Sequence, residues 1–525
     1  MAATCRSLRE RNDPAPAVFM ARFPGVDVMN VPSLTSVSAR RARKPPIAVV
    51  LAAAFCAAGA PSLRAQTATA GSGAATRITP ALAIATFDSA WNRIRTAHYD
   101  TSYNGVDWDA ARVELRPHAA AAQTLDDLRA VLRDMLSRLG ESHYTLIPQE
   151  AADAVDPERV RAGSAATVPG EPGLELRLAE DRLVVWRVDP GGPAAAAGVR
   201  PGWIVVAIDA RRPDQALARV ASLESGAPQK SAITQFLWSA NAQLEGPAGS
   251  FVSIRFLDAE NRSVSLELER RRSPGEPIRF GNLPAFFAEL NHTRIERAGE
   301  CVGLIRFNIW MVPLVQRFDR AVDELRDCTG IIIDLRGNPG GIAGMVMGVA
   351  GHFTDQRVTL GTMRSRGTEL HFMANPRRVN AAGQPVTPFA GPVAILVDGL
   401  SVSTSEFFAG GMQSVGRARV FGQTTAGQAL PATLLRLPTG DVLMYVVADF
   451  TLPGGDRLEG RGVIPDQETP LRIRDLVAGR DAAMDAALAW LAQMHREQPP
   501  STSRHTRTHT LETGTTAKTR VAPDH

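Results

Sequence analysis

Ile331-Ile332-Ile333-Asp334-Leu335-Arg336-Gly337-Asn338-Pro339-Gly340-Gly341 reads as an apolar strand that runs into a glycine-rich turn and then a helix. Such a turn brings backbone N–H groups close to a ligand. One use is a phosphate loop, but the run has neither a Lys-Ser/Thr ending nor a Gly-x-Gly-x-x-Gly spacing. The other use is an oxyanion hole. A second strand-like run, Val393-Ala394-Ile395-Leu396-Val397, leads into Leu400-Ser401-Val402-Ser403-Thr404-Ser405-Glu406, which opens a helix-like stretch from Phe407 to Val415. A serine at a strand-to-helix turn exposes its hydroxyl at the sheet's edge, and the helix N-terminus behind it favours developing negative charge. Taken alone, these serines fit helix capping equally well. A glycine turn one strand before a serine turn favours the oxyanion reading.

Outward from these runs, residues 280–475 alternate strands (Val302–Phe307, Gly330–Leu335, Val393–Val397, Ala418–Phe421) with helix-like segments (Val312–Arg326, Gly341–Gly351), an α/β pattern. Residues 481–495 read as a closing helix. Residues 165–272 carry short alternating strands joined by Gly/Pro turns: Leu174–Leu178, Leu183–Val188, Ile204–Ile208, Val252–Leu257 and Val264–Leu268. From Pro80 to Leu139 the apolar spacing is helical, through Phe87, Trp91, Ile94, Leu125, Leu128, Val131, Leu132, Met135 and Leu139, and Gly140 stops it.

The chain has 525 residues, so more than one core is expected. Its 44% hydrophobic and 21% charged residues are those of a soluble globular protein. A net charge of +4 gives no reason to expect a nucleic-acid partner. Residues 39–65 read as a secretory signal: Arg40-Arg41-Ala42-Arg43-Lys44, an apolar run from Ile47 to Ala60, and the cleavage box Leu63-Arg64-Ala65. The 28 residues before Met29 do not resemble a signal n-region, which points to translation from Met29, and no membrane span is expected after cleavage. The mature chain then keeps Cys301 and Cys328, for which a disulfide and two buried thiols both remain open. The expected organisation is leader and signal peptide (1–65), linker (66–78), N-terminal helical region (79–160), a small β domain (165–272), an α/β core (280–497) and a disordered tail (498–525).

Asp334–Gly341 resembles the "DLRGNGGG" motif of the C-terminal processing protease and tricorn core family, and Ser401–Glu406 resembles its "SASASE". Gly416–Gly422 and Glu459–Asp466 resemble its "GRA-xx-G" and "EGxGVxPD" motifs in the same order. Asp189–Trp203 is similar to the "GSPAAKAGLKPGD" segment of a PDZ domain. The resemblance covers roughly residues 80–475. It implies a crotonase/ClpP-like β/α core with an N-terminal helical region and an inserted PDZ-like β domain. PDZ domains bind chain termini by strand addition, here with Gly173, Leu174 and Leu176. Glu175 stands where a second glycine is usual, and an acid there opposes a carboxylate.

The same resemblance makes Ser403 the nucleophile, with Ser401 and Ser405 structural. Relatives of the Ser/Lys type carry their base in "TFGKG". Here the matching run, Thr424-Thr425-Ala426-Gly427-Gln428-Ala429, has Gln428 in that place, and the chain's lysines are only Lys44, Lys230 and Lys518. Glutamine is no proton acceptor near neutral pH. The tricorn-like branch uses a Ser-His-Ser-Glu tetrad, whose positions fall on Ser142, His143 and Glu459 beside Ser403. Imidazole titrates near about pH 6.5, so His143 can take the serine proton and return it to the leaving amine. The oxyanion donors would be the N–H of Gly340 or Gly341 and that of Thr404. Glu406 and Asp466 read as structural, and Trp186, Trp203 and Trp310 as packing residues. No cofactor and no metal site are expected, because the ten histidines are scattered and no Cys-x-x-Cys occurs. The expected function is that of an exported serine endopeptidase acting on unfolded or C-terminally exposed polypeptide. The rivals are a catalytically silent binding relative, for which Gln428 speaks, and an apolar-ligand carrier.

Overall fold

The computed structural model describes residues 76–150, 169–278, 286–297 and 299–497, together with the backbone of the pair 52–53. The leader and signal peptide, most of the linker and the tail at 498–525 lie outside the described residues, apart from that pair.

Three helices open the described chain: α1 (Pro80–Ala97), α2 (Trp108–Ala121) and α3 (Leu125–Ser137). Thr79 caps α1 by accepting from the Leu82 N–H, and Pro80 supplies a first-turn residue with no N–H to satisfy. Thr124 and Asp127 form a reciprocal capping box on α3. The apolar stripe read from the sequence (Phe87, Trp91, Ile94, Leu128, Leu132, Met135) joins the main hydrophobic core. Gly140 and His143 then adopt left-handed φ of 64° and 63°, which turns the chain sharply into the strand Thr145–Ile147. That strand pairs with Val442–Val446, so the turn carrying Ser142 and His143 is anchored to the far end of the chain.

The segment read as a small β domain forms a five-stranded antiparallel sheet, β1 (Leu174–Ala179), β2 (Arg182–Val188), β3 (Ile204–Ile208), β4 (Phe251–Leu257) and β5 (Ser263–Glu269), paired in that order. It also holds the helix α4 (Ala227–Ala242), which the sequence reading did not find. The apolar residues of α4 do not make one stripe. Ile233, Phe236 and Leu237 face the sheet's core, while Trp238 also packs on Val402 and Ala426 beside the serine turn.

The α/β region is a six-stranded sheet ordered β6 (Leu290–Arg297), β7 (Glu300–Phe307), β8 (Gly330–Asp334), β9 (Val393–Val397), β10 (Ala418–Gly422) and β11 (Gln467–Glu468). Only the first pair is antiparallel. Alternate residues of β8 serve opposite faces. Ile331 and Ile333 join the core of α5 (Val315–Glu324) and α6 (Thr404–Ser414), whereas Ile332 packs with Ala483, Ala487 and Leu491 of α7 (Ala482–Glu497). The helix expected at Gly341–Gly351 begins only at Met345, because Gly340–Gly341 is a short strand. Gly341 has φ 144°, and a Cβ there would stand 2.3 Å from the Trp310 carbonyl oxygen. Among the described residues, no helix is long and apolar enough to cross a membrane.

Cys301 and Cys328 form a disulfide across 27 residues of sequence, from the start of β7 to the turn before β8. In the loop-entropy account a closure of this length contributes about 3.5 kcal/mol. Cys301→Ser with Cys328→Ser is therefore expected to lower unfolding stability by about that amount, and reduction of the native chain should do the same. Denaturant titration in the presence and absence of reductant checks both.

Candidate active site

The turns after β8 and β9 lie side by side at the carboxyl ends of neighbouring parallel strands, where open α/β sheets place their ligands. Polar side chains lash them together. Asn338, fully buried, donates to the Phe307 carbonyl, accepts from Gly340 N–H, and offers its own carbonyl to Val402 N–H and Ser405 Oγ. Ser401 Oγ donates to the Leu335 carbonyl, and Thr404 Oγ1 to the Gly341 carbonyl. Asp398 accepts from Gly337 N–H and Leu400 N–H. Trp310 is buried and donates Nε1–H to Ser405 Oγ at 2.9 Å. Ser401 and Ser405 are thus spent on the scaffold.

Ser403 begins α6 with φ 56° and ψ −115°, a conformation that costs a non-glycine residue on the order of 1–3 kcal/mol. Its N–H reaches the Gln428 carbonyl at 3.0 Å and Glu406 Oε2 at 2.9 Å. Its Oγ is buried and makes no hydrogen bond. Gly340 faces it: a Cβ on that glycine would stand 2.9 Å from Ser403 Cβ and 3.0 Å from Thr404 N.

His143 is 5% exposed. Its Nδ1 lies 2.6 Å from Ser142 Oγ, and Ser142 Oγ lies 3.0 Å from Glu459 Oε2. Ser142 N–H donates to Glu459 Oε1 at 2.9 Å, and Ala429 N–H to Glu459 Oε2 at 2.8 Å. A hydroxyl has one proton. With Glu459 ionised, Ser142 gives that proton to the carboxylate and must accept from Nδ1–H. Nε2 then holds the lone pair, and it is buried without a hydrogen-bond partner. This is the tautomer a general base needs. The structure brings Ser142, His143 and Glu459 into direct contact and ties Ser403 to them through the Gln428–Ala429 backbone. No hydrogen bond joins Ser403 Oγ to His143 Nε2; such bonds are often long in enzymes without substrate.

Of the expected oxyanion donors, Gly340 N–H is committed to Asn338 Oδ1 at 3.0 Å, which leaves Gly341 and Thr404 as candidates. Gly340–Gly341 pairs antiparallel with the Ala52–Ala53 backbone, and Trp310 flanks its other side.

Two groups beyond the expected set bear on the site. Glu406 collects four donors: Thr425 Oγ1 at 2.5 Å, Gly427 N–H at 2.8 Å, Ser403 N–H at 2.9 Å and Gln428 N–H at 3.1 Å. Glu141, next to Ser142, accepts from Tyr99 Oη, Arg457 Nη2 and His98 Nε2, which binds the histidine turn to the loop that carries Glu459. Burial would raise the Glu141 carboxyl, but the hydrogen bonds from His98, Tyr99 and Arg457 hold it below its ordinary value. Sequence reading took Glu406 for structure alone and passed over Glu141. The only local signal for Glu141 was its place beside Ser142. Among the described residues, no cluster of His, Cys, Asp or Glu could hold a metal ion.

Burial pushes His143 down to about 4 and Glu459 up to about 7. The Ser142–Glu459 arrangement needs the carboxylate, so turnover is expected to rise through about pH 7 as Glu459 ionises, with His143 already neutral. The profile of kcat/KM from acid to neutral pH checks this, and Glu459→Gln should remove the limb together with most of the rate. Stability runs the other way. A carboxyl raised by folding favours the folded state most below its unfolded value, and that advantage is lost as pH climbs through about 7. Glu406→Gln turns an NH2 group toward donors that need an acceptor. It is expected to cost about 2–4 kcal/mol of stability and to lower kcat, read by denaturant titration and steady-state kinetics.

Two family models match the chain: peptidase family S41 over residues 301–469 and the tricorn protease C1 domain over residues 85–137. The carboxyl-terminal-processing protease of Picosynechococcus sp. is 26% identical over 416 residues, 77% of this chain and 88% of that protein. The chloroplastic C-terminal processing peptidase of Tetradesmus obliquus is 28% identical over 420 residues, 76% of this chain and 81% of that protein. Among solved structures, the photosystem II D1 C-terminal processing protease aligns with a TM-score of 0.50 at 22% identity, covering 76% of this chain and 98% of that one. Mature CPAF complexed with lactacystin aligns with a TM-score of 0.52 at 13% identity, covering 80% of this chain and 99% of that one; both show the fold alone. With the motifs in family order on this mixed α/β core, the match of residues 301–469 to peptidase family S41 and the processing-protease relatives make the chain a serine-type peptidase similar to that family.

Proposed function

We propose that this chain is an exported serine endopeptidase that hydrolyses unfolded or C-terminally exposed polypeptide through an acyl-enzyme, with Ser403, His143, Ser142 and Glu459 as its tetrad. The observation that carries this reading is Ser142 Oγ, set between His143 Nδ1 at 2.6 Å and Glu459 Oε2 at 3.0 Å. That placement leaves the other imidazole nitrogen as a base. Export is supported by the signal-like run in the sequence and by the Cys301–Cys328 disulfide.

Ser403 Oγ forms a bond to the scissile carbonyl carbon as His143 Nε2 takes its proton. Gly341 and Thr404 N–H groups hold the oxyanion. The carbon–nitrogen bond breaks, and His143 delivers the proton to the departing amine. Water then repeats the sequence on the acyl group, with the proton returning to Ser403. Ser142 and Glu459 keep Nδ1 protonated and stabilise the imidazolium. A substrate would lie extended along Gly340–Gly341, as the Ala52–Ala53 backbone does. Gln428 replaces the lysine of Ser/Lys relatives without loss, because its backbone carbonyl and N–H position Ser403 and Glu406. The five-stranded sheet with α4 serves as a PDZ-like module for recruiting polypeptide.

Casein hydrolysis by the mature chain tests the reading. Ser403→Ala and His143→Ala should each lower kcat at least about 1,000-fold, while Gln428→Ala stays within about tenfold of the parent. A fluorophosphonate should label the parent and not Ser403→Ala. A parent that neither cleaves casein nor takes the label would overturn the proposal.

A further inference from the structure

Residues 398–402 join β9 to Ser403, and the five-stranded sheet with α4 grips them along their length. Arg177 of β1 donates Nε–H to Asp398 Oδ2 at 2.7 Å. Thr234 of α4, fully buried, shares its hydroxyl proton between the Lys230 and Gly399 carbonyls. Leu400 is buried in the core of the five-stranded sheet, with Leu176, Leu237 and Ile254. Val402 packs on Trp238. The stretch that carries the nucleophile thus takes its place from residues outside the α/β core.

Arg177 is the charged member of this grip, and it reaches both turns of the site. Successive residues of β1 face opposite ways, so Leu176 joins its own sheet's core while Glu175 and Arg177 meet the α/β sheet. There Glu175 accepts from Arg306 Nη2 of β7 at 2.9 Å. Arg177 and Asp398 are 6% and 5% exposed. Asp398 Oδ1 accepts Gly337 N–H from the glycine turn at 2.9 Å and Leu400 N–H from the serine turn at 3.0 Å. One carboxylate oxygen ties the two turns together, and Arg177 holds the other. The guanidinium also lies against the glycine turn itself, because a Cβ on Gly337 would collide with Arg177 Nη2. It is fixed in turn. Nη1 donates to the Leu176 carbonyl at 3.0 Å, Nη2 to Glu175 Oε2 at 3.3 Å, and the centre of the Trp186 ring lies 4.3 Å from Cζ.

Without the guanidinium, the buried Asp398 carboxylate loses the cation that meets it and takes up a proton or water. Either change weakens an acceptor that both turns share, since bonds to an ionised acceptor are about twice as strong as neutral ones. The spacing between Ser403 and the Gly341 and Thr404 N–H groups then loosens. We infer that Arg177 is a positioning residue for the peptidase reaction: it sets the glycine turn against the serine turn, so the five-stranded sheet serves the chemistry itself and not only recruitment. The inference rests on the reading of Ser403 as nucleophile.

The test is the rate constant for labelling of Ser403 by a fluorophosphonate. This probe is too small to need a recruiting surface, and a rate constant, unlike an amount of activity, does not depend on how much enzyme is folded. Arg177→Met should label at least about 100-fold more slowly than the parent. Arg177→Lys keeps the charge without the fork and should fall between them, about tenfold below the parent. With casein, both variants should lower kcat and leave KM within about threefold of the parent, whereas a residue of recruitment alone would raise KM with kcat kept. If Arg177→Met does not fold, Arg177→Lys decides. Hydrogen exchange gives a readout that needs no activity: residues 335–341 and 398–404 should lose protection in Arg177→Lys while the helices α1–α3 keep theirs. A parent that takes no label sinks the nucleophile reading, and the exchange then decides the positioning alone. Labelling of Arg177→Lys at the parent's rate, a rise in KM with kcat kept, or unchanged exchange in both turns would overturn the inference.

Discussion

Ser403 is held at φ 56°, where a serine stays only if its surroundings over-determine it. Much of the core can be read as the apparatus that does so. The Glu406 carboxylate and the Gln428 carbonyl fix its N–H, and Gly340 leaves room for its Cβ. Asn338, Ser401, Thr404 and Ser405 bind the serine turn to the glycine turn, so neither can relax independently. These bonds are buried, where an unmade one costs about 1–3 kcal/mol, and that cost keeps the network whole.

The second half of the site comes from the opposite end of the chain. Gly140 and His143 turn the backbone after α3, and the Thr145–Ile147 pairing with Val442–Val446 secures that turn. Glu141 and Arg457 bind it again from below. The halves meet at two consecutive amides: Gln428 N–H reaches Glu406 on the serine side, and Ala429 N–H reaches Glu459 on the histidine side. In the proposed mechanism, the segment where Ser/Lys relatives carry their base works through its backbone, as the spacer between Ser403 and the Ser142–His143–Glu459 group. Burial that places both carboxyls near 7 also couples the site's charge state to neutral pH.

The sequence by itself determined the α/β alternation, the helical N-terminal stripe, the two turns and the motif order, because each follows from local periodicity or from residue types at fixed spacing. The family resemblance of its motifs pointed to Ser403, and the chain's lysines, which lie outside the α/β motifs, set aside a lysine base. Other features it could not reach. The helix α4 was missed because its apolar residues face two cores and make no stripe. The start of the helix after Gly341 was misplaced because the Trp310 carbonyl crowds that glycine. Only the tertiary structure decided that Gly340 N–H is committed to Asn338, that Cys301 and Cys328 are bonded, and that Arg177 reaches Asp398. It also showed Glu141 and Glu406 as the braces of the site. Each of these depends on groups distant in sequence meeting in a buried place, and hydrogen bonding at long range leaves no local period to read.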